Sequence, residues 1–175
     1  MTRSIIGLLA VFALLPACEW VTPDRPDLTL PPVDSVRAVY AREGMATQEI
    51  DFNGNVVEIT VQQRPDDLQR GGSLWARVGP YIYLFTPGTR ELFLRWEGIA
   101  GVRVITQVGG REVARALLLR TELEDQLWHR SLNLVGRAMQ EGTVRPSRLE
   151  ELVRWGEERT EYEYNPEFVS RPGSE

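Results

Sequence analysis

A hydrolytic or proton-transfer centre needs an imidazole, an activated thiol or a carboxylate pair in reach of one another, and this sequence offers few such groups. His129 is the one imidazole. Asp125 precedes it by four positions, one helical turn, and would orient it if both lie on a helix. A triad also needs a serine facing the ring. Ser131 points elsewhere on the same helix, and Gly71-Gly72-Ser73 lacks the following glycine of a nucleophile elbow. His129 is therefore read as a solvated helix-face residue. Carboxylates are abundant (Glu122, Glu124, Asp125, Glu150, Glu151, Glu157, Glu158, Glu161 and Glu163). Two of them at the right separation would flank a glycosidic bond. Most fall opposite apolar stripes, where a solvated surface accounts for them. Asp51, Asn53 and Asn55 suggest a calcium loop only until the downstream glutamate is sought and not found at the required spacing. No catalytic residue, metal-ligand set or cofactor is assigned.

Two absences narrow the chemistry further. All twenty basic residues are arginine. Without lysine there is no phosphate loop of the Walker type and no Schiff base. One histidine and one cysteine exclude His-rich and Cys-rich metal sites. The net charge of −5 argues against nucleic acid or an anionic lipid surface as a charge-driven partner. Binding candidates remain. Tyr81, Tyr83 and Phe85 would line a pocket or simply fill a core. Arg103, Arg111 and Arg115, with Arg120 beyond, would suit a lipid phosphate or a partner carboxylate, although acids lie between them.

The lone cysteine, Cys18, follows a short export-type leader. The amino terminus and Arg3 are basic, Ile5 to Leu15 are an apolar run, and small residues follow. At about 1.5 Å per residue the run falls far short of a hydrocarbon core of roughly 30 Å. Leu15-Pro16-Ala17-Cys18 resembles the lipobox of bacterial lipoproteins. Leu15 matches the branched aliphatic position and Ala17 the small one, while Pro16 stands where Ala, Ser, Thr or Val is usual. The resemblance covers the first tenth of the chain. It implies a signal peptide over 1–17, cleavage before Cys18, a diacylglycerol thioether on its sulfur and acylation of its new amine. Lipidation also disposes of a thiol that would otherwise be exposed to oxidation. Several acyl chains, at about 0.8 kcal/mol per buried methylene, anchor stably. Glu19, rather than Asp, after the cysteine implies the outer membrane by the family's sorting tendency, with the domain facing the periplasm.

Residues 18–34 read as a tether. Pro23, Pro26, Pro31 and Pro32 favour extended polyproline conformation at roughly 3 Å per residue. A single domain is expected over 35–168, and a frayed tail over 169–175. Val36, Val39 and Tyr40 fit one helical stripe, with Asp34 as cap and Gly44 as stop, but a strand fits nearly as well. Asn53-Gly54 predicts a two-residue hairpin turn that sets Phe52 opposite Asn55 and Ile50 opposite Val57. One face then carries Ile50, Phe52, Val57, Ile59 and Val61. Arg64–Gly72 reads as a connection, Leu74–Val78 as a short helix stopped by Gly79-Pro80, and Tyr81–Phe85 as a central strand.

Pro87–Glu97 leans to helix, with Thr86 as cap, although the alternation of Leu92, Leu94 and Trp96 also fits a strand. A second hairpin turns at Gly109-Gly110. Its two-residue register places Ile105, Ala114, Ala116 and Leu118 on one face, with Val102, Val104 and Leu117 on the other. Thr121 with Glu124, and Ser147 with Glu150, read as capping boxes that open two C-terminal helices. Trp128, Leu132, Val135 and Met139 mark the first of these, widened by Leu123, Leu127, Leu134 and Ala138. Leu149, Leu152 and Val153 mark the second. Glu161–Phe168 is an edge strand or a docked extension.

The expected fold is an α+β sandwich: an antiparallel sheet of about five strands with a helical hairpin on one face. A lipocalin-like barrel is the alternative and needs strands at 36–42, 74–79 and 90–97. The expected function is a non-enzymatic, lipid-anchored envelope module that binds another envelope protein. A carrier of a hydrophobic ligand and a carboxylate-based cell-wall hydrolase are the other classes. Cys18→Ser is expected to move the protein from the membrane to the soluble fraction, and mass spectrometry of the native N-terminus to find an acylated Cys18. Unchanged fractionation of the serine variant would sink the lipoprotein reading.

Overall fold

The computed structural model describes residues 28–45 and 47–169. Cys18 and the lipobox residues Leu15, Pro16 and Ala17 lie outside the described residues, as do the signal segment and most of the tether. The chain runs α1 (Val33–Arg42), β1 (Thr47–Asn53), β2 (Val56–Gln62), α2 (Pro65–Leu84), α3 (Pro87–Arg95), β3 (Gly101–Val108) and β4 (Arg111–Leu119), then a 3-10 turn at Arg120–Glu122. It continues through α4 (Asp125–Glu141), α5 (Pro146–Glu157), β5 (Glu161–Tyr164) and α6 (Pro166–Val169). The five strands form one open sheet in the order β1-β2-β3-β4-β5. Helices cover one face, so the fold is α+β and not a barrel. Each segment that a barrel would need as strand, 36–42, 74–79 and 90–97, is wholly or mostly helical.

The sheet is not wholly antiparallel. β2 and β3 pair in parallel, Val56 opposite Gly101 through Gln62 opposite Gln107. A parallel pair needs a crossover of a dozen or more residues, and α2 and α3 supply it. Tyr81–Phe85, expected as a central strand, is the end of that crossover helix and its C-cap. A short apolar run satisfies a buried helix as well as a buried strand. Ala76, Val78, Tyr81, Leu84 and Phe85 are fully buried at helical spacing. That burial outweighs the roughly 3 kcal/mol that a proline costs inside a helix, so Gly79-Pro80 does not stop the chain. The break lies earlier, at Gly72, with φ of 55° and ψ of −140°, a backbone setting open to glycine. The fifth strand is β5, paired to β4 at the sheet edge.

Both hairpins differ from their expected registers. In the first, Asn53 pairs with Val56 and Ile50 with Ile59, so the turn residues are Gly54-Asn55. The slip is even, and a period-2 pattern survives it. Ile50, Val57, Ile59 and Val61 remain together in the core with Phe52 against them. In the second hairpin the turn is as expected, with φ of +58° and +77° at Gly109 and Gly110. A bulge then intervenes: Gln107 faces Glu112, but Thr106 faces Ala114. One extra residue, Val113, exchanges the faces beyond it. Val102 and Val104 therefore join Ala116 and Leu118 in the core, and Ile105 and Leu117 turn to the opposite face. The small residues Ala114 and Ala116 lie where α2 crosses β4.

The helix ends are set differently from expectation. Thr86 caps α3, accepting from the Thr89 N–H at 3.2 Å. Neither expected capping box forms. Glu124 and Arg145 hold the N-cap positions of α4 and α5, without side-chain bonds, and Asp34 lies inside the first turn of α1 rather than capping it. Leu30 packs on the core and Pro31 is buried, so the ordered fold reaches back into the segment read as tether. Ser131 is fully buried between α4 and α5. It accepts from the Trp155 indole N–H at 2.9 Å and donates to Leu127 O at 2.8 Å. Arg130 and Arg159 lie over the Trp155 ring at 4.3 and 4.8 Å.

Arg120 ties the crossover to the sheet. Its Nε donates to Ile99 O at 2.7 Å, and its terminal nitrogens donate to Phe93 O and Trp96 O. Those carbonyls lie at the end of α3 and in the loop leading to β3. Partial burial holds the guanidinium below its ordinary pKa. Arg120→Met is expected to lower unfolding stability by roughly 3 kcal/mol, because three carbonyls lose charged donors. Arg120→Lys should restore only part of that loss, since one ammonium has no planar fork to span them. Urea unfolding of both variants checks the order.

Candidate functional site

Two polar clusters and one apolar groove stand out among the described residues. The first cluster is built around Tyr81, which is fully buried. Its hydroxyl is 2.7 Å from that of Tyr164, which donates to Glu157 at 3.0 Å. Tyr164 therefore accepts from Tyr81. Arg77 completes the chain by pairing with Glu157 and lying 5.4 Å from the centre of the Tyr164 ring. Burial raises the pKa of both phenols well above the ordinary range, and the adjacent hydroxyl and the Glu157 carboxylate raise Tyr164 further. Neither phenol is an acid or base near neutral pH. Gly156 leaves the room that the Tyr81 ring occupies; a Cβ there would collide with the ring. The cluster pins α5 and β5 to α2, which is a structural task.

The second cluster is the expected basic patch. Arg103 pairs with Glu58, Arg115 with Glu112 at 2.6 Å and Glu163 at 3.6 Å, and Arg111 with Glu167 at 2.8 Å. Bonding to Glu112 raises the pKa of Arg115. Arg120 is turned inward on backbone carbonyls. Each arginine of the patch thus has an acidic or carbonyl partner, and the strands present a neutralised ladder rather than a cationic surface. His129 is exposed, and Asp125, expected to orient it, pairs with Arg90 at 2.7 Å. Glu150 and Glu157 share a polar cleft of about 510 Å³ with Arg77 and Arg154. Glu157 is committed there to Arg77 and Tyr164.

The groove is different in kind. It has a volume of about 750 Å³ and opens to solvent between α2, α4 and the chain entering β1. α2 and its C-cap contribute Ile82, Tyr83 and Phe85; Met45 and Val61 come from the β1–β2 side. The third wall is α4, through Leu132, Val135, Gly136 and Met139. These four recur at i, i+3, i+4 and i+7, one face of a helix. The core-facing stripe of α4 is separate: Trp128, Ser131, Leu134 and Ala138. The sequence pattern merges the two stripes into one broad apolar face. Met139 is 56% exposed, and a Cβ on Gly136 would meet nothing within 4 Å. The volume falls in the range of small-ligand and side-chain pockets, and two methionines give adaptable walls.

Of the expected aromatic trio, the structure brings Tyr83 and Phe85 to this groove and sends Tyr81 to the α5 side. Helical spacing, rather than strand alternation, splits them. Missed altogether were Met45, Ile82 and Gly136. The usable signal was the width of the apolar stripe on α4, too broad for a helix that packs on one side only.

Glu43 and Arg64 supply charge at the groove wall. The Glu43 carboxylate is bonded by the Thr86 hydroxyl and the Gly88 N–H at the start of α3, yet burial leaves its pKa raised above the ordinary carboxylate value. A carboxyl whose folded pKa is raised favours the fold while protonated, and that contribution is lost as pH rises through the folded pKa. Glu43→Gln is therefore expected to be more stable than wild type near pH 7, with the difference shrinking as pH falls toward 4. Thermal unfolding at a series of pH values measures it; a constant difference would contradict the assignment. Comparisons with protein-family models, curated proteins and solved structures gave no match, so the roles of these side chains rest on geometry alone.

Proposed function

We propose that the protein is a non-enzymatic, lipid-anchored module of the cell envelope whose groove receives apolar side chains of another envelope protein. The observation that carries this reading is the second apolar stripe of α4, Leu132-Val135-Gly136-Met139, which is only partly buried, ends in the exposed Met139 and lines an open groove with Ile82 and Tyr83. A helix that presents anchors at i, i+3, i+4 and i+7 beside an open groove suits recognition of an amphipathic segment. The groove is open along one side, which favours a docked segment over a sequestered small ligand. The polar clusters are internally paired and add no reactive group to it. The lipid anchor at Cys18 and the lipobox residues Leu15, Pro16 and Ala17 supply the membrane attachment in this reading, with the periplasmic side of the outer membrane as the location.

The test uses Gly136. A Cβ there meets no protein atom within 4 Å at the wall of the groove, and replacing a helical glycine does not harm the helix. A photo-crosslinking residue at Met139, in cells, is expected to give a discrete protein adduct. Gly136→Trp should reduce that adduct by about tenfold or more, the effect of losing one good anchor, while leaving unfolding stability unchanged or higher. Adducts to lipid alone, or protein adducts indifferent to Gly136→Trp, would overturn the reading.

A further inference from the structure

Leu28 lines a second apolar cleft. This cleft has a volume of about 630 Å³ and is walled by Leu28, Leu30, Ile99, Ala100 and Leu119, with the Gly54-Asn55 turn at its edge. Leu28 is 66% exposed. Its backbone lies directly on Gly98, where a Cβ would collide with the Leu28 carbonyl oxygen. The Ala100 N–H donates to Asn55 O at 2.8 Å and the Arg120 N–H to Ala100 O at 2.9 Å, so turn, loop and strand ends are locked together under the cleft.

This end of the domain is opposite the groove. Gly54 and Asn55 lie at one end of the first hairpin, whereas Met45, Val61 and Gln62 of the groove lie at the other. The intervening length of β2, at about 3.3 Å per residue, is roughly 20 Å. Leu28 follows Cys18 by ten positions. Fully extended that span reaches no more than about 35 Å, so a lipid on Cys18 would hold Leu28 within that distance of the bilayer, nearer to it than the groove end can be held.

We infer that the cleft end of the domain rests on the surface of the bilayer that holds the anchor, with Leu28 and the cleft walls in contact with lipid chains, and the groove held away from the membrane. The inference rests on the lipid-anchor reading. Its driving force is apolar contact rather than charge: Glu97 is the acid at the cleft, and the cation there, Arg120, is spent on backbone carbonyls. A single exposed leucine and a cleft bind a membrane weakly in isolation. The anchor converts that contact into an intramolecular one at high effective concentration.

The experiment places a photo-reactive residue at position 28, 55 or 139 of the full-length protein in isolated membranes and scores phospholipid adducts by mass. Positions 28 and 55 are expected to give lipid adducts and position 139 none above background. Leu28→Glu should cut the adducts from position 55 at least tenfold while the protein stays in the membrane fraction. Cys18→Ser separates the two levels of the argument. Retention of that variant in the membrane overturns the anchor and this inference with it. Its release, combined with adducts equal at all three positions or absent from 28 and 55 in the anchored protein, overturns the docking alone.

Discussion

The parallel pairing of β2 with β3 is the constraint from which the rest of the architecture follows. Two adjacent strands that run the same way demand a long return path. The path here is α2, the bend at Phe85–Thr86 and α3. Both helices must lie on a face of the sheet, and they choose the face carrying Val57, Ile59, Val102 and Val104. β2 and β3 become central strands flanked by antiparallel partners, which accounts for the order of the whole sheet. α4 and α5 then have only the flank of the crossover left to pack against. The opposite face keeps Glu58, Thr60, Arg103 and Arg115 beside Ile105 and Leu117.

The groove is a by-product of that stacking. α2 spends one side on the sheet and another on α5, through Tyr81 beneath Gly156. α4 spends its Trp128–Ser131–Leu134–Ala138 side on the core. The remaining apolar positions of both helices, Ile82 and Leu132-Val135-Met139, diverge around a glycine and leave space between them. A protein of this length has ample core from the sheet side alone, so folding does not require these residues to be covered. Exposed apolar surface of this kind is what the proposed docking segment would cover. Polar groups, by contrast, are well matched: Tyr40 with Thr89, Trp155 with Ser131, Arg77 with Glu157 and Arg120 with its three carbonyls. The exceptions among the described buried atoms are few and lie outside the groove walls: Gln63 Oε1, Arg90 Nε and Arg159 Nε.

On the proposed reading, membrane attachment and recognition would fall at opposite ends of the domain. The Leu28 backbone lies against Gly98 ahead of β3, α1 carries the chain to the far end of the first hairpin, and the groove opens there. A domain held by one end and binding with the other would need no moving part. It needs a rigid body between, which the crossover and the Tyr81–Tyr164–Glu157–Arg77 chain supply.

The sequence by itself determined whatever depends on local chemistry. Both hairpins, the Thr86 cap of α3, the two C-terminal helices and the α+β class were legible because turn residues and apolar periodicity act within a few positions. The inward face of the first hairpin survived even a wrong register, since an even slip preserves alternation. Tertiary structure decided what local pattern leaves degenerate. Tyr81–Phe85 suits a buried strand and a buried helix equally, and only the crossover imposed by β2–β3 pairing selects the helix. The bulge at Val113 inverts a face without a glycine or proline to announce it. Arg103 and Arg115 look like a cationic patch until strand pairing brings Glu58 and Glu163 beside them and the bulge in β4 turns Glu112 onto Arg115. The groove was the least legible feature of all, because a broad apolar stripe does not say which half meets a neighbour and which is left open; that depends on where the other helices end.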